Sequence, residues 1–222
     1  VTGDAFMLCS CGATIACTSG LSSTLLFRRA VRLSIRVGAI DRPGGRKVHD
    51  GEVPRLGGLT IALGIGIGML VPGLFARGRF AIEIGPGELV VLAATALVLI
   101  LGLIDDIRDL PFSAKLVGQI AAAALMIAAG WGIDRVALPL VGVVPLGLLA
   151  PLATVLWVVG IMNAINMMDG LDGLASLIVA IISVNLFAFE VIKASPFSAF
   201  ILAAVFGSCV GFLVHNWNGK IF

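Results

Sequence analysis

Charge is scarce in this chain, and tyrosine is missing altogether. Asp, Glu, Lys and Arg make up 13% of the 222 residues and apolar residues 59%. A soluble domain carries about 25% charge and about 45–50% apolar residues, so a water-soluble globular class is excluded. The four cysteines, Cys9, Cys11, Cys17 and Cys209, lack zinc-ligand or redox spacing and read as small embedded residues. A net charge of +2 is too small to point to nucleic acid. No basic n-region precedes the first apolar run, so no cleaved secretory signal is expected; the initial Val1 makes a missing N-terminal start the expectation.

What the chain does have is a series of apolar runs near the length that crosses a bilayer, about 20 residues each. They fall near 5–27, 57–76, 88–104, 116–133, 146–166, 174–192 and 198–215. The fold class expected is therefore all-α, a polytopic transmembrane helical bundle of about seven spans forming one integral membrane domain over 1–222. The segment 134–145 is apolar enough to lie in the membrane interface. Eight of the fifteen Lys and Arg residues lie in connector 28–56, and Arg108, Lys115 and Lys220 fall on the same side. Only Arg77, Arg79, Arg135 and Lys193 fall opposite, so the first side is read as cytoplasmic and the N-terminus as external. Polar segments near 28–56, 105–115, 163–175 and 215–222 then share the cytoplasmic face.

The most unusual of these is Asn163-Ala-Ile-Asn166-Met-Met-Asp169-Gly-Leu-Asp172-Gly-Leu-Ala175, set between two apolar runs. An Asp at a helix centre in lipid costs roughly 2.5–3.5 kcal/mol on insertion scales. On a continuous helix these four polar residues, three apart, would form one drifting stripe, but the two Asp-Gly pairs predict a break facing a polar cavity. Ligand or metal binding at a membrane face is the chemistry such a stretch suits.

Connector 28–56 contains Arg46-Lys47-Val-His49 and Pro54-Arg55-Leu-Gly57-Gly58, where Pro and Gly break helices and the cations could hold phosphates. Arg28, Arg29, Arg32 and Arg36 read as headgroup-facing loop residues. Asp105-Asp106-Ile-Arg108-Asp109 places adjacent carboxylates at a span end, which suits Mg²⁺ with water and substrate phosphates, or general-base work if one acid is off the metal. Asp109, one turn beyond Asp105, could share its face or pair with Arg108. Lys115 and Gln119, one helical turn apart, could reach a lipid phosphate, although Lys115 could equally snorkel. His215-Asn216-Trp217-Asn218-Gly-Lys220-Ile-Phe222 could grip a base by stacking and hydrogen bonding, or anchor the last helix.

In combination these stretches resemble the polyprenyl-phosphate N-acetylhexosamine-1-phosphate transferase superfamily, glycosyltransferase family 4, from about residue 40 to the end. Pro54-Arg-Leu-Gly-Gly is similar to its WecA/TagO-like branch rather than the Thr-Pro-Thr-Met-Gly-Gly of the phospho-N-acetylmuramoyl-pentapeptide transferase branch. The resemblance implies transfer of GlcNAc-1-phosphate from a UDP-N-acetylhexosamine to undecaprenyl phosphate with release of UMP, dependent on Mg²⁺ or, in its place, Mn²⁺. It implies a multi-pass protein of the bacterial inner membrane with a cytoplasmic active face; the Gly-rich helix faces would permit a homodimer. By the same resemblance Asp105 and Asp106 are the catalytic pair, and Asp105, Asp106 and Asp169 the metal ligands. Lys47, His49, Asn163, Asn166, Asp169, Asp172, Asn216 and Phe222 are the nucleotide-sugar residues; the acceptor's phosphate then suits the lipid-phosphate reading of Lys115 and Gln119 made from their spacing. The family continues past the Phe222 position with Met-Gly-Asp-x-Gly-Ser and has about ten or eleven crossings, so a C-terminally truncated sequence is expected, short of one metal-site acid. The competing readings are the pentapeptide branch, a non-catalytic membrane protein, and an ion-coupled transporter with Gly64, Gly66 and Gly68 packing mobile helices. A transporter calls for midplane acids or an inverted repeat; neither is evident in the sequence.

Overall fold

The computed structural model describes residues 2–41, 53–75, 84–169 and 173–217. Among the described residues seven α-helices each overlap one expected span: α1 Thr2–Val37, α2 Gly57–Phe75, α3 Pro86–Arg108, α4 Phe112–Ala128, α5 Ala150–Met168, α6 Leu174–Ile192 and α7 Pro196–Asn216. Five are long and apolar enough to cross a membrane, while the apolar stretches Gly57–Leu70 and Phe112–Ala128 are shorter. The chain is thus an all-α polytopic membrane protein, as helices satisfy their own backbone groups where water is excluded. The helices pack as two compact units, one of residues 1–83 and 168–222, the other 84–167.

In the first unit, α1 runs ten residues past its expected end at 27. Nothing from Leu25 to Val37 breaks a helix, and Phe27, Ala30 and Ser34 carry a buried stripe at helical spacing into the arginine-rich segment. Arg28, Arg29, Arg32 and Arg36 are therefore helix residues rather than loop residues, and Gly38 at φ 75° stops the helix. Two short strands, β1 Ile40–Asp41 and β2 Val53–Pro54, pair antiparallel across the connector. The Ser34 hydroxyl clips this neck to α1: it donates to the Ala39 carbonyl and accepts from the Arg55 N–H at 3.1 Å.

The α1–α7 crossing is built from small residues. A Cβ at Gly207 would land on the Ala16 carbonyl oxygen, and one at Gly211 on that of Gly20. This is the close backbone approach that a small-xxx-small face allows in membrane helices. Gly64 and Gly68 of α2 fit against Ser19 and Ser23 of α1 and Ser208 of α7, whereas Gly66 faces open space. Hydroxyls reinforce the packing: Thr24 Oγ1 donates to the Gly211 carbonyl at 3.0 Å, and Ser208 Oγ to that of Ile61 at 2.9 Å.

In the second unit, α4 begins directly after Pro111 and ends before Gly130, several residues earlier than its expected 116–133. The segment expected at the interface is a hairpin, β3 Arg135–Leu138 with β4 Gly142–Pro145, closed onto α5 where the Ile133 N–H donates to Thr154 Oγ1 at 2.9 Å. Its tip leaves Leu140 and Val141 exposed.

Replacing Gly211 by Leu should force α1 and α7 apart and destabilise the first unit by about 1–3 kcal/mol, the range of overpacked cores. Thermal unfolding in detergent, with Gly66→Leu as the tolerated control, measures this.

Candidate active site

The paired acids sit at the end of α3, and Asp105 organises the turn that follows. Its backbone carbonyl accepts the Asp109 N–H at 2.9 Å, and its Oδ1 accepts the Leu110 N–H, also at 2.9 Å. Asp109 caps α3 in the left-handed region at φ 47°, which Asp tolerates better than most residues. The helix has ended there, so Asp109 does not continue the face that carries Asp105. Pro111, extended at φ −62° and ψ 148°, then launches α4.

This tight turn presents one face of α4 to both neighbouring helices. Lys115 Nζ lies 2.7 Å from Asp105 Oδ2, a half-buried ion pair between α4 and α3. One turn along, Gln119 Oε1 accepts from Asn163 Nδ2 of α5 at 2.8 Å; the same nitrogen donates to the Val159 carbonyl at 2.8 Å. Asp105, Lys115, Gln119 and Asn163 are thus brought together in one unit at a shared end of three helices. Asp106 is half-buried beside Asp105, and Asn166 is exposed one turn beyond Asn163 on α5.

Asp169 directly follows the last residue of α5, and Gly173 opens α6. The predicted helix break is therefore present. Gly173 takes φ 69°, and a Cβ there would stand 3.0 Å from Leu213 Cδ2 and 3.4 Å from the Asn216 carbonyl oxygen. Glycine alone combines that backbone with such an approach to α7. Asn216 is buried with its Oδ1 unpartnered among the described residues, and neighbouring His215 stacks on Phe27 of α1 at 4.4 Å between ring centroids. Phe27 went unnoticed in the sequence because it sits inside an apolar run; only its helical spacing to Ala30 and Ser34 signals an inward face.

Asp169 reaches solvent, yet the protein around it reduces its hydration and lifts its carboxyl above the ordinary 3.8. The adjacent carboxylates of Asp105 and Asp106 are hard oxygen donors of the kind that suits Mg²⁺ or Mn²⁺. Asp105 retains acceptor capacity beside its contacts with Lys115 and Leu110, since a carboxylate offers about four lone-pair directions. Among the described residues, no group of three His, Cys, Asp or Glu side chains stands close enough to hold a metal. Lys47, His49, Asp172 and Phe222 lie outside the described residues.

Residues 88–222 match the glycosyl transferase family 4 domain. The chain is 36% identical over 128 residues to a probable undecaprenyl-phosphate N-acetylglucosaminyl 1-phosphate transferase of Bacillus subtilis, covering 57% of this chain and 33% of that protein. It is 34% identical over 204 residues to the decaprenyl-phosphate N-acetylglucosaminephosphotransferase of Mycolicibacterium smegmatis, and 37% identical over 205 residues to that of Mycobacterium tuberculosis. Each of these matches covers 86% of this chain and 50% of the relative. The chain therefore spans between a third and a half of the length of these relatives.

A raised folded-state carboxyl pKa means that ionising Asp169 opposes folding. This penalty is absent below the ordinary 3.8, grows as pH rises, and is complete above the folded value. Asp169→Asn should raise the melting temperature of the metal-free protein at neutral pH, with the gain vanishing below pH 3.8; melting curves across pH 3–8 read it directly.

Proposed function

The chain belongs to glycosyl transferase family 4, and from that membership we propose that it transfers GlcNAc-1-phosphate from UDP-GlcNAc to undecaprenyl phosphate. An oxygen of the lipid phosphate attacks the β-phosphorus of the nucleotide sugar. The bond from that phosphorus to the bridging oxygen breaks, and the bridging oxygen leaves with the α-phosphate as UMP. The product is undecaprenyl-diphospho-GlcNAc. The relatives, named as undecaprenyl- or decaprenyl-phosphate N-acetylglucosamine phosphotransferases, support this choice of sugar and a polyprenyl phosphate acceptor.

The observation that carries the reading is the cluster at the shared end of α3, α4 and α5. A carboxylate held by a cation stands there beside an amide held by an amide. Phosphoryl transfer needs little covalent help from a protein; positioning and neutralisation of charge do most of the work. The Lys115 ammonium supplies positive charge next to Asp105, while Asn163 and Asn166 supply hydrogen-bonding groups for the nucleotide sugar. A phosphate monoester is already largely ionised near neutral pH, so no strong base is required of Asp105 or Asp106. The family resemblance offers Asp105, Asp106 and Asp169 as the acids that would hold Mg²⁺, whose charge would offset that of the diphosphate. Lys47, His49, Asp172, Asn216 and Phe222 complete the proposed nucleotide side. We place the protein in the bacterial inner membrane with this end cytoplasmic, following the Lys and Arg asymmetry.

The test is UMP release from UDP-GlcNAc and undecaprenyl phosphate, with and without Mg²⁺. It is run on the chain as it stands and on a version carried through the Met-Gly-Asp-x-Gly-Ser stretch of the family. We expect Mg²⁺-dependent release in the extended version, reduced at least about 100-fold by Asp106→Asn, the order seen when a group stabilising transition-state charge is removed. Absence of release from both forms, with the pentapeptide donor equally silent, would overturn the proposal.

A further inference from the structure

We propose that Gln119 is a positioning residue for Asn163, setting the orientation of its amide for the nucleotide sugar, and that it does not hold the lipid phosphate. This rests on the reaction proposed above. The Val159 carbonyl can only accept, so the Asn163 atom facing it at 2.8 Å has to be the nitrogen. That nitrogen also faces Gln119 at 2.8 Å, so the Gln119 atom there has to be its oxygen. Both protons of the Asn163 amide are now committed, and the flip of each side chain follows from a single helix carbonyl. Among the described residues, Asn163 Oδ1 is left as the uncommitted acceptor of its amide.

Removing the Gln119 oxygen would leave one Asn163 N–H without a partner in a half-buried setting, a cost the amide relieves by rotating away from its orientation. Gln119 lies one turn beyond Lys115, which holds Asp105 at 2.7 Å. One face of α4 thus ties the acid of α3 and the amide of α5 to a common ruler. Both long side chains on that face reach protein partners, which is the arrangement of a strut.

Three variants test the assignment in lipid nanodiscs. Gln119→Met keeps the side-chain length and loses the acceptor, Gln119→Glu keeps an acceptor, and Asn163→Ala removes the client. The first readout is the Asn163 side-chain amide resonance in ¹⁵N-asparagine-labelled protein, identified by its loss in N163A. It should shift and exchange faster in Q119M but stay near wild type in Q119E. The second readout, in whichever form of the protein releases UMP, is the KM for each substrate. Q119M should raise the KM for UDP-GlcNAc about fivefold to tenfold, the size of one neutral hydrogen bond, and leave the KM for undecaprenyl phosphate unchanged. Q119E should recover most of that loss, and Q119M should add nothing to N163A.

A rise in the lipid KM alone would return Gln119 to the lipid phosphate and overturn the proposal. So would an Asn163 amide resonance indifferent to Q119M. If wild type releases no UMP, the reaction falls while the amide resonance still decides whether Gln119 positions Asn163.

Discussion

Hydrocarbon offers no hydrogen-bond partner, and the placement of nearly every polar side chain described above follows from that. Within the first unit, two hydroxyls donate to carbonyls of a neighbouring helix, Thr24 to Gly211 and Ser208 to Ile61. Within the second, Thr154 accepts the Ile133 N–H and thereby seats the hairpin on α5. The groups with the highest cost of burial, Asp105, Asp106 and Asp169, stand at or just beyond helix ends. An acid at a helix end can keep water or a counter-charge within reach; the same acid mid-span would need a partner built around it.

The spans were legible in the sequence because a 20-residue apolar run has few competing interpretations, and the break after α5 because Asp-Gly pairs disfavour continuing a helix. The length of α1 was not legible in the same way. Its arginines signal a membrane boundary in hydropathy, but a helix ends where the backbone is interrupted, and that waits for Gly38. The hairpin between α4 and α5 was hidden for a related reason: apolar residues from 136 to 145 announce contact with lipid without saying which backbone carries them. Of the two readings open for Asp109, the shared face with Asp105 holds only while the helix persists, and α3 ends at Arg108.

For the site, residue identity was readable and partnership was not. Lys115 and Gln119 are correctly placed on one face of α4 by their spacing, yet spacing alone cannot distinguish a side chain that reaches a ligand from one that holds a neighbour. The contacts of 2.7 Å to Asp105 and 2.8 Å to Asn163 show which neighbours lie within reach, and spacing does not announce them. The stacking of His215 on Phe27 belongs to the same category, because it joins residues nearly the whole chain apart.

Asp105 closes the α3–α4 turn with one carboxylate oxygen and grips Lys115 with the other. A position bound in this way to both local folding and local charge has a narrow evolutionary neighbourhood. Asparagine preserves the turn and forfeits the ion pair, glutamate preserves the charge and overreaches the turn, and alanine forfeits both. Drift at this site is therefore blocked twice, by independent demands. New substrate preferences in such a scaffold have easier routes through residues that answer to only one.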